Sequence, residues 1–374
     1  MLPFFFFPQA WSQQGVPLPV FRWAGTLTDP RGAIEQAARR GVSFQYQYID
    51  EVSQAPIGAP GSHDWYGRYT WTLAAAADMH QAMGWSGASG FASIKEHARE
   101  FGRLYSGVAQ GFSNQDAPAR TALYEAWMEQ SLLDGRLTLK AGRVDANTDF
   151  DAVPTAGDFL NSSMGYSPTI MGFPSYPQPQ PAVELSVMPQ KTTRAGVAEF
   201  RTAGGRLFLA EADRTWSVGR DARAGRAAVG GWRLTESLSR FDGVTASGTG
   251  GLYGVVEQVL WVQPEAGASA RSLAAFLQVG TGDERVNPYS RHVGGGLVLT
   301  GTLHRRPHDS AGAAATWVRL APETGGETAV EVYYKLNLSR AVWLVSDVQY
   351  FSHPDGIAVH GPSVVATPRL VFNF

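Results

Sequence analysis

The sequence predicts an all-β fold: a transmembrane antiparallel β-barrel of about 16 strands, with a short N-terminal helix and a constriction loop folded into the barrel. Segments with alternating polar and apolar side chains recur along most of the 374 residues. Charged residues make up 17% of the chain, below the roughly 25% of a typical soluble domain. The 11 Trp, 13 Tyr and 19 Phe suit the aromatic girdles of a membrane barrel.

Composition excludes several classes of protein. No run of about 18 apolar residues occurs, which excludes a transmembrane helix, whereas the mean hydropathy of −0.16 suits strands that alternate. The absence of Cys excludes disulfides and thiolate metal sites. A net charge of −2 indicates no nucleic-acid partner. We expect no cofactor, no metal and no catalytic residue.

Residues 1–40 form an N-terminal segment that precedes the barrel, which we assign to 41–374. The first residues, MLPFFFFPQAWSQQG, are similar to the late part of a secretory signal but lack its basic region. A short helix is predicted to follow. Asp29 is its expected cap, Pro30 stands in its first turn and Gly41 ends it.

The predicted strands begin with GVSFQYQYID, where Tyr46 and Tyr48 share one phase, and end with TPRLVFNF, where Leu370, Phe372 and Phe374 point outward. The candidates after the first are 65–79, 84–95, 102–112, 123–131, 136–143, 183–189, 195–202, 205–212, 228–236, 252–263, 271–281, 292–302, 312–321, 327–338, 342–352 and 364–374, the last of which contains TPRLVFNF. This number of strands is typical of a porin rather than of a sandwich.

An outer-membrane barrel has short turns on one rim and long loops on the other. Tight links are predicted at 133–135, 203–205 and 338–340. Long loops are predicted at 144–182, 213–227, 237–251 and 353–363. Girdle or wall packing is expected for six tryptophans at or near strands: Trp65, Trp71, Trp85, Trp261, Trp317 and Trp343.

The stretch 123–181 is the most informative part of the chain. Two alternating segments flank the turn Asp134–Gly135, which predicts a hairpin in the barrel wall. A long segment rich in Asp, Asn, Pro and Gly follows. A structureless insertion of this length is uncommon in a compact domain unless it is functional. We therefore predict that the loop 144–182 enters the lumen and narrows it.

The chain resembles a known family along most of its length. The block LYEAWMEQSLLDGRLTLKAGRVDANTDF continues with FLNSSMGYSP and YPQPQPAVELSV, and GLYGVVEQVLW, FLQVGTGDERVNPYSRHVGGGLVLTG and EVYYKLNLSRAVWLVSDVQYFSHPDG follow downstream. Together these segments resemble the carbohydrate-selective porin (OprB) family of Gram-negative outer membranes. The resemblance runs from residue 30 to residue 374.

The resemblance implies a sixteen-stranded barrel that passes small, glucose-like saccharides by passive diffusion through the outer membrane. It implies outer-membrane lipid as the solvent and a loop near 144–181 that narrows the lumen. The C-terminal Phe374 is the expected contact of the barrel assembly machinery. No enzymatic activity is implied.

Candidate saccharide contacts lie on the hairpin and at the start of the loop. On the strand 123–131, Glu125, Trp127 and Glu129 share one phase, which we assign to the lumen, while Tyr124, Ala126 and Met128 share the phase assigned to lipid. Carboxylates can hydrogen-bond sugar hydroxyls and an indole can cover the apolar face of a sugar ring. The alternative is that the glutamates pair with wall arginines and only solvate the pore.

The loop entrance supplies three further candidates: Arg143, Asp145 and Asn147. A guanidinium is always charged and carries five donors, which suits a constriction with a transverse field. The alternative is an Arg–Asp brace that anchors the loop. The DANTD spacing is similar to the start of a calcium loop, but Phe150 stands where Gly is required, so we expect no calcium site.

Other functions remain as rivals. A glycosidase is disfavoured because Glu125 and Glu129 would lie roughly 13 Å apart on a strand. His304 and His308 are expected in a solvated turn rather than at a metal. The same barrel could be plugged and serve as a docking partner in an envelope complex, or it could be a soluble sugar-binding β protein, which the apolar C-terminal strand disfavours.

Overall fold

The computed structural model describes residues 32–58, 64–101, 107–263, 271–302, 306–322, 325–357 and 361–374. Sixteen strands in this part of the chain form one closed barrel in which each strand pairs with its sequence neighbours. The strands are β1 (Val42–Ile57), β2 (Tyr66–Asp78), β3 (Ala88–Phe101), β4 (Arg120–Leu132), β5 (Leu137–Val144), β6 (Gln180–Gln190), β7 (Thr193–Arg201), β8 (Arg206–Val218), β9 (Arg223–Ser239), β10 (Thr245–Gln263), β11 (Arg271–Gly282), β12 (Tyr289–Thr300), β13 (Ser310–Leu320), β14 (Gly326–Ser339), β15 (Val342–Ser352) and β16 (Ser363–Asn373).

In the part of the chain that the structure describes, three short α-helices accompany the barrel: α1 (Ala33–Arg39), α2 (Met79–Met83) and α3 (Ser162–Gly165). Gly32 occupies the cap position of α1 and no side chain caps the helix there. The predicted cap Asp29, Pro30 and the signal-like start lie outside the described residues. Gly41 follows α1 in the left-handed region, as a helix stop requires. No helix among the described residues is long and apolar enough to span a membrane.

The barrel closes between its first and last strands. Gln47 pairs with Asn373 and the register continues to Ile57 and Val364. Beyond the strand, Phe374 N–H donates to the Tyr46 carbonyl at 2.8 Å, and Tyr46 N–H donates to the Phe374 carbonyl at 2.9 Å. The closed ladder leaves no free sheet edge, which is the condition for strands to span a hydrocarbon layer.

The outward face is apolar and the inward face carries the polar residues. In β14, Val330 and Val332 are exposed while Glu331 and Tyr333 are buried inside. In β16, Arg369 faces the lumen, so Leu370 and Phe372 face outward together with Phe374. The rings of Phe372 and Tyr48 lie 6.0 Å apart, as in an aromatic girdle. This arrangement is the inverse of a soluble barrel and excludes that rival.

Connections alternate between two rims. The short-turn rim carries the turns 133–136, 191–192, 219–222 and 340–341, and the long-loop rim carries 145–179 and the connection from β3 to β4.

The predicted long loops 213–227 and 237–251 are wrong, because the strands on either side of each loop are longer than predicted and only 219–222 and 240–244 remain as connections. The tight link predicted at 203–205 lies on the long-loop rim, because every connection from an odd-numbered to an even-numbered strand lies there.

The predicted strand 102–112 is also wrong in its described part. β3 ends at Phe101, and residues 107–119 form a second loop inside the barrel. Gln110 and Phe112 are buried there against the wall. Their burial therefore reflects contact of an inner loop with the lumen wall rather than strand pairing.

The hydrophobic core lies inside the barrel, between the wall and the loop 145–179, which we call the constriction loop. One cluster joins Phe150 and Ile170 of this loop to Phe200, Leu207 and Trp232 of the wall. A second cluster joins loop residues to β9–β15; its largest members are Phe159, Leu160, Met164, Phe276 and Tyr333.

Two wall glycines allow the constriction loop to approach the wall closely. A Cβ on Gly280 would stand 1.9 Å from the Ser167 hydroxyl, and one on Gly312 would stand 2.7 Å from the Phe159 ring. Both distances are shorter than any van der Waals contact. A side chain at either wall position would displace the loop.

Candidate functional site

A β-bulge in β4 directs two consecutive side chains into the lumen. Ser93 pairs with Glu125 and Ile94 pairs with Leu123, so Tyr124 is the extra residue. The Tyr124 hydroxyl donates to the Asp145 carboxylate, while Leu123 is exposed outward. The prediction that Tyr124 faces lipid is therefore wrong, because the bulge shifts the alternation by one residue.

Glu125 and Trp127 face inward and pack where the constriction loop begins. Trp127 is 7% exposed, and its ring lies 5.4 Å from that of Phe91 and 4.7 Å from the Lys140 ammonium. Its Nε1 donates to Glu125 at 3.3 Å, and the same carboxylate oxygen accepts the Asp145 N–H at 3.3 Å. An indole this buried offers no open face to a sugar ring.

Arg143 lies on the outward face of β5. Lys140 and Val144 are buried inside the barrel, and Gly142 faces Trp127, so the outward phase is shared by Leu139, Ala141 and Arg143. The Arg143 Nε donates to the Tyr124 carbonyl at 3.0 Å. The structure thus corrects the placement of Arg143 at the constriction: the strand presents this side chain to the membrane side of the wall.

Asp145 and Asn147 organise the constriction loop internally. The Asp145 carboxylate accepts the Asn147 N–H at 3.0 Å and so caps the first turn of the loop. The Asn147 Nδ2 donates to the carbonyls of Asp151 at 3.2 Å and Gly165 at 3.4 Å, which ties two runs of the loop together. No cluster of His, Asp and Glu able to hold a metal occurs among the described residues.

Charged side chains form a continuous network along the wall from β4 to β10, which we call the lumen charge chain. Its members are Glu129, Lys140, Asp149, Glu184, Arg194, Glu211, Asp213, Arg226 and Glu257. All of them except Asp149 belong to strands and face inward. The network follows the first run of the constriction loop and contacts its backbone at Asp149, Asp151 and Thr155.

Lys140 centres the first part of the chain. Its Nζ lies 2.5 Å from Asp149, 3.8 Å from Glu184 and 3.9 Å from Glu129. Glu129 is one of the predicted contact residues. Its side chain is 20% exposed, so part of its surface is open to the lumen.

Two arginines continue the chain. Arg194 Nη1 lies 3.3 Å from Asp213 and 3.7 Å from Glu211, and it donates to the Asp149 carbonyl at 3.2 Å. The Arg226 guanidinium lies 3.3 Å from Glu211 and 3.3 Å from a carboxylate oxygen of Glu257 on β10. Both arginines are partly exposed, so each can also meet a solute.

The loop carboxyls respond differently to this field. Burial raises the pKa of Asp149, but the positive charges of Lys140 and Arg194 outweigh it and lower the pKa below its usual value. Burial raises the pKa of Asp151 well above its usual range, although its Oδ2 accepts the Ser167 N–H at 2.7 Å. The loop therefore carries a negative charge at Asp149, beside the wall cations, whereas burial disfavours a negative charge at Asp151 in the loop interior.

Buried wall glutamates hold the backbone of the constriction loop. Glu211 accepts the Asp151 N–H at 2.8 Å and Glu257 accepts the Thr155 N–H at 2.7 Å. Across the barrel, Glu331 accepts the Leu160 N–H at 2.5 Å and the next N–H at 3.1 Å. Hydrogen bonds to a carboxylate are roughly twice as strong as neutral ones. Reasoning from the sequence missed these residues.

The second loop is held in the same way. Glu327 of β14 accepts the N–H groups of Ala109 and Gln110, each at 2.8 Å, and that of Asp355 at 2.9 Å. The Gln349 side chain donates to the Phe112 carbonyl at 2.7 Å. One carboxylate therefore fixes the second loop and the β15–β16 connection together.

A family model for carbohydrate-selective porins, the OprB family, matches residues 67–205 and 201–374. The chain belongs to the carbohydrate-selective porin family. It is accordingly an outer-membrane porin for carbohydrates, and this family is one of non-enzymatic channels. No curated protein matches the chain.

Solved structures show the same fold at low sequence identity. Pseudomonas putida OprB in its high-pH structure is 19% identical, with a TM-score of 0.81, covering 94% of this chain and 97% of that chain. Its low-pH structure is 20% identical, with a TM-score of 0.64 and coverages of 95% and 98%. A triple mutant of Rhodopseudomonas blastica porin is 13% identical, with a TM-score of 0.52 and coverages of 89% and 100%.

Opposite the lumen charge chain, this porin carries a second inward group that the sequence did not reveal. Lys335 of β14 lies 2.6 Å from Asp158 of the constriction loop, and Ser310 donates to the same carboxylate at 2.9 Å. The Lys335 ammonium lies 5.8 Å from the ring centre of Trp343. Trp343 shares the inward phase of Val345 and is half-buried, so it is not a girdle residue.

Proposed function

We propose that small, glucose-like saccharides diffuse through this barrel between the lumen charge chain and the group Asp158, Lys335 and Trp343. A sugar needs donors and acceptors for its hydroxyls and an apolar surface for its ring face. The charge chain supplies the first along β4–β10. The second group adds a partly exposed ion pair beside an indole on the far side.

The observation that carries this proposal is the partial exposure of paired charges at the level of the constriction loop. Their side chains are already bonded to each other and to the loop, so a passing hydroxyl exchanges one hydrogen bond for another. Such exchange keeps binding weak enough for release, which conduction through a pore requires. Glu129, Arg194 and Lys335 are the contacts we favour.

The carboxylates support transport rather than catalysis in this proposal. Glu211, Glu257, Glu327 and Glu331 are committed to loop N–H groups, and none is left free to transfer a proton to a glycosidic bond. Passage is therefore passive and needs no cofactor. We place the short-turn rim in the periplasm and the long-loop rim at the cell exterior, following the usual build of such barrels, with Phe374 as the contact for barrel assembly.

The test is the conductance of the purified porin in a planar bilayer, titrated with glucose and with a disaccharide. We expect a steady conductance that glucose blocks in a saturable way. Protein that is shown to be folded by its heat-modified gel mobility, but that conducts nothing, would favour the plugged barrel with a docking role. Conductance without any block by sugar would remove the saccharide contacts from the proposal.

A further inference from the structure

The outward surface at the long-loop rim carries arginines that the pore does not use. Arg201 at the end of β7 pairs directly with Arg206 at the start of β8. Both share the outward phase, since Val197 and Phe208 further along the same strands are exposed to the membrane. Like charges directly opposite each other destabilise a sheet pair. An anionic ligand would relieve that repulsion.

A pocket of about 580 Å³ lies at this pair. It is lined by both arginines and by Glu199 and Thr235, together with the turn between β7 and β8. Arg206 pairs with Glu199 at 2.7 Å. Among the described residues, Arg201 makes no ion pair and no side-chain hydrogen bond, so one guanidinium faces the pocket without a partner.

Two further arginines extend the basic surface around this pocket. Arg143 of β5 pairs with Pro181, and Arg233 of β9 pairs with Phe208, both on the outward phase. Further from the rim, the outward residues of the same strands are apolar; the most exposed are Val183, Val197 and Val229. The pocket therefore lies at the boundary between a hydrocarbon surface and a polar one.

We infer that this pocket binds the phosphorylated headgroup of a glycolipid in the membrane leaflet around the long-loop rim. A guanidinium presents a planar fork that matches phosphate and binds it with two hydrogen bonds. The acyl chains of such a lipid would lie along the apolar strands below. Glu199 opposes the phosphate and so limits the affinity.

The probe is lipid A that carries both phosphates, compared with the same lipid after dephosphorylation. Full-length porin in detergent is incubated with each lipid, and retained lipid is counted by native mass spectrometry. We expect the double variant Arg201→Ala, Arg206→Ala to retain about tenfold less phosphorylated lipid, since charge-assisted hydrogen bonds are lost. The variant Glu199→Gln is expected to retain about threefold more.

The matched control is the double variant Arg291→Ala, Arg319→Ala. These arginines also pair directly and outward at the long-loop rim, on β12 and β13, and they remove the same charge. We expect the control to retain phosphorylated lipid like the wild type. Heat-modified gel mobility confirms that every variant is folded.

Three results would overturn the inference. Equal retention of phosphorylated and dephosphorylated lipid would show that headgroup charge is irrelevant. Equal loss in the Arg291 and Arg319 control would reduce the effect to general attraction by positive charge. Thermal stabilisation by inorganic phosphate alone, abolished by Arg201→Ala, Arg206→Ala and unaccompanied by lipid retention, would assign the pocket to free phosphate.

Discussion

The two halves of the barrel hold the constriction loop by different means. On the β8–β10 side, Glu211 and Glu257 each accept one loop N–H and also pair with Arg226. On the β14 side, Glu331 accepts two N–H groups of this loop and, among the described residues, pairs with no cation. Arg226 on the first side is partly exposed and so within reach of a solute, whereas Glu331 on the second side is buried and anchors the loop structurally.

The largest effect is expected on the structural side. Glu331→Ala leaves the buried N–H groups of Leu160 and Asn161 without acceptors, and we expect the free energy of unfolding to fall by about 3 kcal/mol. Urea titration and limited proteolysis within the constriction loop measure the effect. The outward neighbour Val332→Ala is the control and should leave the loop protected. Unchanged proteolysis in the Glu331 variant would contradict an anchoring role.

A smaller effect is expected on the charged side. Arg226→Ala removes the cation between Glu211 and Glu257 but leaves both loop N–H bonds in place. Because Arg226 is partly exposed, we expect a loss of about 2 kcal/mol in stability and a shift of ion selectivity toward cations. Reversal potentials in a salt gradient report the second effect. Arg226→Lys keeps the positive charge and should retain the wild-type ion selectivity. An equal shift in the Arg226→Lys variant would mean that the charge at this position does not set the selectivity.

The far side of the lumen offers a test that changes solute contact rather than stability. Lys335→Ala removes a donor beside Trp343, and we expect the glucose concentration for half-block of the conductance to rise about threefold. Lys191→Ala removes the same charge at a turn of the short-turn rim and should leave the block unchanged. Equal effects of the two variants would point to overall charge instead of contact.

The smallest effect is expected at Arg143. This side chain lies on the outward face, so Arg143→Ala should leave single-channel conductance and ion selectivity unchanged. The Lys335→Ala recordings provide the comparison in the same bilayer. A wider or less selective pore in the Arg143 variant would mean that its guanidinium reaches the lumen after all.

Much of the wall could be predicted from the sequence because its side chains alternate. The hairpin around Asp134–Gly135 follows from period-two alternation on both sides of a turn, and the outward Phe372 follows from alternation once the fold class is a membrane barrel. The sequence also carried the correct phase of Arg143, since Leu139 and Ala141 share it. Arg143 was nevertheless predicted at the constriction, because a charged residue at the entrance of a long loop suits the lining of a pore.

The interior could be predicted only in outline. The bulge at Tyr124 leaves no mark in an alternating segment, because it depends on how β3 pairs with β4. The wall glutamates do leave a mark, as acidic residues in the inward phase of strands such as β8, which contains Glu211. Their partners are backbone N–H groups of a distant loop, and a backbone group has no sequence signature.

The two inner loops touch each other as well as the wall. The Asn114 N–H donates to the Leu160 carbonyl at 2.6 Å, and the Ser162 N–H donates to the Gly111 carbonyl at 2.9 Å. Through the second loop, Asn114 also accepts a bond from Arg369 of β16 at 2.8 Å. Together the loops form a strut from β5 to β16 across the barrel. A cylinder strutted in this way resists flattening into an ellipse, so lateral pressure from the bilayer changes the width of the passage less than it would in an empty barrel.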